Sequence, residues 1–332
     1  MSTQMRPDSG GGKNGLVFLG RGNSEAHLPE AIVLEALREA FGALASGSAL
    51  QPPQVSGVIA NQVDVIWYPA ILGTHGLFGV KLSPYLIKRK EGPKVTAWTL
   101  LCSTETGDPV LLCDSFVLTT ERTAATTALA VQYLKPVSAK RLAVIGLGPV
   151  GLAHLRYASA ISAWSEILVY SRHAPGHSSV LDPVAPEVRR KIAIADSAQS
   201  AVVNADVILL CTSSPTPVID HRWLRPSQLV TSLTTTCEHA REIAAEALPN
   251  LDVYCDYRAT TPIVAGEMAI AAREHGWSRD AILGDLPELV SGTARRPSER
   301  NPIFFRSIGL GIEDVAIAGA VMRSRESRGE SS

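Results

Sequence analysis

The segment RLAVIGLGPVGLAHLRYA, residues 141–158, contains three glycines at the spacing G-x-G-x-x-G. The apolar run 142–145 before them is typical of a buried strand, and apolar residues recur at helical spacing after them. In a dinucleotide-binding unit, Gly146 allows the tight turn and Gly148 lets the backbone approach a pyrophosphate, while Gly151 allows close packing of helix on strand. The segment therefore predicts the first unit of a dinucleotide-binding fold.

The helix after the glycines is predicted to begin at Pro149 and Val150, so that its free N–H groups face the phosphates. An acidic residue at the end of the second strand would bind the ribose hydroxyls of NAD. Residues 170–173 read Tyr-Ser-Arg-His instead, and there Arg172 can pair with a 2′-phosphate while Ser171 donates a hydrogen bond. We therefore expect NADP(H) as the preferred cofactor, with NAD(H) as the alternative. A solvated Arg172 is the competing interpretation.

Short β-branched runs alternate with helical patterns through the second half of the chain, at 142–145, 167–170, 192–195, 207–211, 229–233 and 253–256. This alternation predicts an α/β protein with a doubly wound parallel sheet of the Rossmann type. Thr212 and Ser213 follow one of these runs, at the edge where such sheets bind ligands, and we expect them to border the cofactor. A plain turn between strand and helix is the alternative there.

The first half of the chain has a different pattern. A helix is predicted at 29–45, followed by a block of antiparallel strands at 55–59, 63–68, 78–82, 95–103 and 109–114. A second helix is predicted from Thr119 or Thr120 to Lys135, and a last one from Glu313 to Arg323, whose acidic start suits the helix dipole.

A Rossmann domain does not need the segment 303–325, which contains the last predicted helix. We therefore predict that this segment completes the antiparallel block in the first half of the chain. The predicted split α+β domain comprises residues 15–118 and 303–325, and the predicted Rossmann domain comprises residues 119–302. Residues 1–14 and 326–332 are predicted as tails.

Composition excludes several classes of protein. A chain of 332 residues is longer than a single hydrophobic core usually supports. Its composition, with 45% hydrophobic and 19% charged residues, is ordinary for a globular enzyme. The net charge of -1 gives no reason to expect a nucleic acid or a membrane surface as partner. No apolar stretch is long enough for a transmembrane helix, and the five scattered cysteines suggest neither a metal site nor disulfides. We expect a cytoplasmic protein.

Two cations are candidates for substrate binding. Arg122 is placed in the first turn of its predicted helix, where it opposes the helix dipole unless an anion binds there. A substrate carboxylate or a neighbouring acid such as Glu121 would equally explain it. Lys81 lies within the apolar strand FGVKLSP, where a buried ammonium needs an anionic partner or a lowered pKa. An outward-facing strand lysine is the alternative.

Four motifs resemble the ornithine cyclodeaminase/μ-crystallin family: GVK (79–81), TTERTAATTALA (119–130), VIGLGPVG (144–151) and GLGIEDVA (309–316). The likeness covers nearly the whole chain after the tail, with the motifs in the right order. The resemblance implies a Rossmann domain joined to a substrate domain that also forms a homodimer. It matches Lys81 to the family's active-site lysine and Arg122 to its carboxylate-binding arginine.

The sequence also departs from the cyclodeaminases of that family. Thr236 takes the place of their catalytic aspartate, and it can hydrogen-bond but cannot act as a carboxylate base. Gln54 stands where a second substrate arginine is expected. The missing acid and the expected preference for NADP(H) favour a reductase, in which Lys81 assists binding and proton supply and Thr236 shapes a polar wall.

We therefore expect an NAD(P)H-dependent oxidoreductase acting on CH–NH or C=N bonds of a small imino or amino acid. The first candidates are 1-pyrroline-2-carboxylate, reduced to L-proline, and 1-piperideine-2-carboxylate, reduced to L-pipecolate. An ornithine or lysine cyclodeaminase, which releases ammonia, is one alternative. An acyclic amino-acid dehydrogenase or opine-type synthase, which needs ammonia or an amine, is another, and a non-catalytic binder is a third.

Overall fold

The computed structural model describes residues 15–21, 28–59, 63–86, 89–91, 95–172, 178–235 and 239–329. Within these ranges the smaller of two sheets has seven strands, in the order β1-β7-β6-β5-β4-β2, with β3 paired to β4. Its strands are β1 Val17–Leu19, β2 Ala49–Leu50, β3 Val55–Ile59, β4 Val63–Leu72, β5 Leu77–Leu86, β6 Trp98–Ser103 and β7 Pro109–Asp114. The five predicted strands of the antiparallel block are present as β3 to β7. Two further strands were not predicted: β2 pairs antiparallel with β4, and β1 runs parallel to β7.

The larger sheet has eight parallel strands in the order β10-β9-β8-β11-β12-β15-β13-β14. They are β8 Arg141–Ile145, β9 Glu166–Tyr170, β10 Ile192–Ile194, β11 Val207–Leu210, β12 Leu229–Ser232, β13 Asp252–Cys255, β14 Gly284–Asp285 and β15 Ile303–Arg306. β8 lies between β9 and β11, so the chain winds outward from it in both directions. The α/β doubly wound fold class is therefore confirmed.

The helices of the described chain lie against these sheets. They are α1 Glu30–Ala45, α2 Phe116–Leu134, α3 Pro149–Ile161, α4 Pro186–Arg189, α5 Ala198–Asn204, α6 Thr261–Val264, α7 Gly266–Glu274, α8 Leu286–Ser291 and α9 Gly311–Ser327. α9 packs on β4, β5, β6 and α1, while α2 packs on α1, α3 and α9. None of these helices is both long and apolar enough to cross a lipid bilayer.

The start of α2 differs from the prediction. The helix begins at Phe116, because the carboxylate of Asp114 accepts a hydrogen bond from the Phe116 N–H at 3.0 Å. Arg122 consequently lies in the second turn rather than the first, and the predicted conflict with the helix dipole does not arise at that position.

The predicted division of the chain needs one correction at its C-terminal part. Residues 303–306 form β15, which lies inside the larger sheet between β12 and β13 and not with the first block. All four residues are buried, as expected for an apolar strand covered on both faces. Only α9 returns to the smaller sheet, and it runs to Ser327, into the segment predicted as a tail. The other boundaries remain a prediction, and the tail 1–14 lies outside the described residues.

The first turn of α9 is fixed by a side chain from another part of the chain. Its N-cap residue, Leu310, makes no side-chain cap, but the buried Gln51 accepts a hydrogen bond from the Ile312 N–H at 2.8 Å. Gln51 also donates to the carbonyl of Pro52 at 2.6 Å. The segment before β3 thereby positions the helix that carries Glu313 and Asp314.

Candidate active site

The glycine turn after β8 has the shape of a phosphate-binding loop. Gly146 has φ +101°, and a Cβ there would lie 2.6 Å from the carbonyl oxygen of Cys211. A Cβ on Gly151 would lie 2.0 Å from the carbonyl oxygen of Gly146, so that α3 can approach only without a side chain. A Cβ on Gly148 would meet nothing within 4 Å. The space beside Gly148 is open, as a turn that approaches a pyrophosphate requires.

The predicted cofactor residues come together at the carboxyl edge of the larger sheet. The Gly146 N–H donates to the carbonyl of Tyr170 at 2.8 Å, which joins the turn to the end of β9. Ser171 and the exposed Arg172 follow directly. On the other side, the methyl group of Thr212 lies 3.2 Å from the Cβ position of Gly146. This is the point where the strand order reverses, and doubly wound sheets bind their ligands there.

Pro149 and Val150 form the first turn of α3, with Gly148 as the N-cap. The first N–H groups of this helix have no partner within the helix, and the positive end of its dipole lies at the glycine turn. The site therefore has the donors that an anionic dinucleotide needs.

No sequence pattern predicted a role for Glu242, although its carboxylate holds two loops in place at the carboxyl edge of the larger sheet. One carboxylate oxygen accepts hydrogen bonds from the Thr212 N–H and hydroxyl, both at 2.7 Å. The other accepts from the Ser232 hydroxyl at 2.9 Å and the Leu233 N–H at 3.0 Å. The loops after β11 and β12 are thus tied to one buried carboxylate. No motif in the sequence marks this residue, because its partners become neighbours only in the folded sheet.

A buried cluster of charges joins β5, α2 and α9. The ammonium of Lys81 lies 3.1 Å from a carboxylate oxygen of Asp314 and 4.3 Å from the ring centre of Tyr68. The guanidinium of Arg122 contacts Asp314 through Nε at 3.1 Å and Glu313 through Nη1 at 2.8 Å. Lys81 is 1% and Arg122 4% exposed, so the outward-facing interpretation of Lys81 is wrong.

The acids in this cluster have a second role beside the expected one. Glu313 and Asp314 lie in the first turn of α9, as expected for an acidic helix start, and both are also buried against Arg122 and Lys81. Glu121 is not the partner of Arg122, since it binds Arg156 at 2.6 Å. The Nη2 group of Arg122 has no hydrogen-bond partner in the part of the chain that the structure describes. The Nη2 group can therefore donate a hydrogen bond to an anion.

Burial sets the protonation of these groups. Burial, and then the positive charge of Arg122, lowers the pKa of Lys81 to about 8, although Asp314 opposes the shift. Burial also lowers the pKa of Arg122, but Asp314 and Glu313 more than reverse this, so the guanidinium stays charged. For Glu313, burial raises the pKa to about 8 against the effect of Arg122. The pKa values of both Arg122 and Glu313 are therefore raised, which keeps the guanidinium charged and favours the protonated form of Glu313; burial is the main cause for Glu313, and the nearby carboxylates of Asp256 and Asp314 add to it.

The loop after β15 holds the guanidinium in place. Gly309 has φ +79°, and a Cβ there would lie 2.2 Å from Nη1 of Arg122. The buried carboxylate of Asp256 accepts hydrogen bonds from the N–H groups of Ile308 at 2.6 Å and Gly309 at 3.1 Å. The motif GLG at 309–311 therefore lets the backbone pass directly beside Arg122.

Two sequence-predicted residues are not brought into the cluster. Thr236 lies outside the described residues. Gln54 is partly buried just before β3, and no contact joins it to Lys81 or Arg122 in the described part of the chain.

The chain is similar to known proteins over nearly its whole length. The model of the ornithine cyclodeaminase/mu-crystallin family matches residues 22–329. The NAD(P)H-dependent anabolic L-arginine dehydrogenase DauB of Pseudomonas aeruginosa is 52% identical over 299 residues, 89% of this chain and 92% of that protein. The ketimine reductase mu-crystallin of Macropus fuliginosus is 25% identical over 306 residues, 88% of this chain and 92% of that protein.

A solved structure shares the fold. The Delta(1)-pyrroline-2-carboxylate reductase of Thermococcus litoralis, in complex with NADH and L-proline, superposes with a TM-score of 0.87. The superposition covers 94% of this chain and 98% of that one at 24% identity.

We predict that Gly148→Val abolishes cofactor binding without unfolding the protein, because the new side chain meets only the space kept for the pyrophosphate. The dissociation constant for NADPH, measured by fluorescence titration, should rise by roughly 30-fold or more, while the melting temperature stays unchanged. Gly15→Val is a matched control, since its Cβ also meets nothing within 4 Å. Unchanged NADPH binding in Gly148→Val would place the cofactor elsewhere.

Proposed function

Because the chain belongs to the ornithine cyclodeaminase/mu-crystallin family, we propose that it reduces the C=N bond of an acyclic 2-imino acid to an L-amino acid. The chain is an NAD(P)H-dependent oxidoreductase of amino or imino acids, as its relatives are. In the proposed reaction a 2-oxo acid condenses with ammonia, losing water, and the resulting imine takes up a hydride and a proton. The L-arginine dehydrogenase at 52% identity favours this acyclic substrate.

The observation that carries this proposal is the position of the Lys81–Arg122 cluster. Arg122 contacts the backbone at Gly309, in the loop after β15, and the glycine turn follows β8 of the same parallel sheet. The carboxyl ends of parallel strands meet at one edge. A carboxylate bound by Arg122 would therefore lie at the edge where the dinucleotide fits, as hydride transfer requires.

Each residue of the cluster has a proposed part in the reaction. Nη2 of Arg122 would bind the substrate carboxylate in a charge-assisted hydrogen bond. Asp314 holds both cations and would keep Lys81 directed at the substrate. The ammonium of Lys81 would bind the same carboxylate and supply the proton to the imine nitrogen. The bound dinucleotide supplies the hydride.

A cyclic ketimine remains the second candidate substrate. The ketimine reductase mu-crystallin is a relative at 25% identity. This relationship supports the cyclic imines 1-pyrroline-2-carboxylate and 1-piperideine-2-carboxylate as candidate substrates. The two candidates differ in one requirement, since a cyclic imine carries its own nitrogen and needs no free ammonia.

For the nucleotide, we propose NADP(H). Arg172 is exposed directly after β9 and forms no ion pair with the described residues. It is therefore free to bind a 2′-phosphate, with Ser171 beside it.

We further propose a homodimer formed through the outer face of the smaller sheet. The cross-strand register places large exposed apolar side chains on the face opposite Lys81. They are Phe18, Val55, Ile59, Trp67 and Ile71. Phe18 stacks on Trp98 at 6.2 Å between ring centres, which extends this apolar surface. A contiguous exposed apolar face of this kind marks an interface. In a twofold dimer, the same face of a second copy of the chain would cover it.

The proposed reaction is tested by following NADPH oxidation with acyclic 2-oxo acids and with cyclic imines, each with and without ammonia. We expect turnover of 2-oxo acids that depends completely on ammonia. Arg122→Ala should raise KM for the 2-oxo acid by about 100-fold or more, because a desolvated charge pair is lost. Arg122→Lys keeps the charge and controls for folding. Turnover of cyclic imines alone would contradict the acyclic assignment.

The pH dependence tests the part of Lys81. The lysine is protonated below its pKa of about 8, so proton supply in the reductive direction declines as the pH rises through that value. The ratio of kcat/KM between wild type and Lys81→Met cancels the titration of ammonia and substrate. We expect this ratio to be roughly 100-fold or more below pH 8 and to fall above it. A ratio independent of pH would remove Lys81 from proton transfer, and Lys140→Met, on the surface, should leave the profile unchanged.

The nucleotide preference is tested by Arg172→Asp. A carboxylate there repels a 2′-phosphate and can bind ribose hydroxyls. We expect the ratio of kcat/KM for NADPH to that for NADH to fall by about 100-fold. Arg296→Asp, at another exposed arginine, is the control. An unaltered ratio would mean that Arg172 does not contact the nucleotide.

A further inference from the structure

Three pairs of side chains form a row on the inner face of the smaller sheet. On β4 and β5, Tyr68 faces Lys81, Ile66 faces Ser83, and Asp64 faces Tyr85. Alternate residues of a strand point to the same side, so all six side chains share the face that holds Lys81. The row begins at the charge cluster and ends at Asp64.

Asp64 has an unsatisfied oxygen at the far end of this row. Its Oδ1 atom is buried and has no hydrogen-bond partner, and the carboxylate forms no ion pair with any residue that the structure describes. Buried polar atoms are nearly always paired, by protein or by a ligand. An unpaired buried carboxylate oxygen on the face of the active-site lysine is therefore a candidate ligand contact.

The electrostatics of Tyr85 connect the two ends of the row. Burial raises the pKa of Tyr85, Arg122 lowers it, and Asp64 raises it. The phenol hydroxyl therefore lies in the field of both Arg122 and Asp64. Tyr85 therefore lies between the positive, carboxylate-binding end of the row and its negative end.

The length of the row suits an amino acid with a long side chain. Lys81 and Tyr85 are four residues apart on β5, which corresponds to about 13 Å between their α-carbons. An extended substrate whose carboxylate lies at Arg122 would therefore have the end of its side chain near Asp64.

We propose that Asp64 is the specificity-determining residue of the site and selects substrates whose side chain ends in a guanidinium or ammonium group. The cation would pair with the unsatisfied Oδ1 atom, and the ring of Tyr85 would cover it. This inference rests on the proposed reduction of an acyclic 2-imino acid. It deepens that proposal by assigning the class of side chain to one residue.

Binding to the cofactor-saturated protein tests the inference without turnover. L-Arginine and its uncharged analogue L-norleucine are titrated calorimetrically into wild type, Asp64→Asn and Asp108→Asn, in saturating NADPH or NADH, because an amino acid with the reduced cofactor forms a complex that cannot react. Asp64→Asn keeps the shape and removes the charge, while Asp108 is an exposed aspartate in the turn between β6 and β7 of the same sheet. In parallel, reductive amination of 2-oxo-5-guanidinopentanoate and 2-oxohexanoate is measured.

We expect wild type to prefer L-arginine, and Asp64→Asn to weaken L-arginine binding by roughly 30-fold or more. Binding of L-norleucine should change less than about twofold, which shows that the variant is folded. Asp108→Asn should match wild type. Equal weakening of both ligands, an unchanged preference, or no L-arginine binding to wild type would overturn the role of Asp64. Normal L-arginine binding without turnover of either 2-oxo acid would instead overturn the proposed reaction and leave Asp64 standing.

Discussion

The ion-pair cluster of Lys81, Arg122, Glu313 and Asp314 is the interaction on which the arrangement of the chain depends. It joins a strand of the smaller sheet, the long helix α2 and the C-terminal helix α9 in one desolvated contact. Removing charges from water is costly, and buried ion pairs recover that cost only when the geometry is close and well satisfied. A sequence that keeps such a cluster gives up stability that apolar side chains would supply. The gain is a pair of cations fixed in position before any anion arrives.

Buried carboxylates at the edge of the larger sheet complement these cations. Glu242 and Asp256 each accept several hydrogen bonds from loop backbone or hydroxyl groups. Both carboxylates therefore stabilise loops that would otherwise expose unpaired N–H groups. The loop held by Asp256 contacts Arg122 through Gly309, while Glu242 holds the loops after β11 and β12. Buried carboxylates thus position loops both at the charge cluster and near the glycine turn.

Local sequence patterns predicted much of this molecule. The strand, glycine turn and helix at 141–158 were correct because each depends on neighbouring residues. The family was also identified correctly, from motifs that carry the glycines and the buried charges. The start of α2 was predicted several residues late, because Thr119 looks like a cap and the actual contact comes from Asp114. Local propensity does not distinguish two polar residues that both suit a helix start.

Long-range contacts were beyond such reasoning. The run at 303–306 has the composition of a buried strand, but nothing local indicates that it lies between β12 and β13. The partners of Arg122 lie 191 and 192 residues away, and Glu242 and Asp64 belong to no motif. Their importance comes from side chains that become neighbours through sheet pairing, and one sequence does not report that pairing.

The insertion of β15 has a consequence for how the chain is made. Ribosomal synthesis releases β12 and β13 before residues 303–306, so the interior of the larger sheet has a gap until that segment has emerged. The acids that neutralise Lys81 and Arg122 arrive later still, on α9. Until residues 303–314 have been made, a nascent chain therefore holds two unpaired strand edges and two uncompensated cations. A product terminated before residue 303 contains neither β15 nor the acids of the charge cluster.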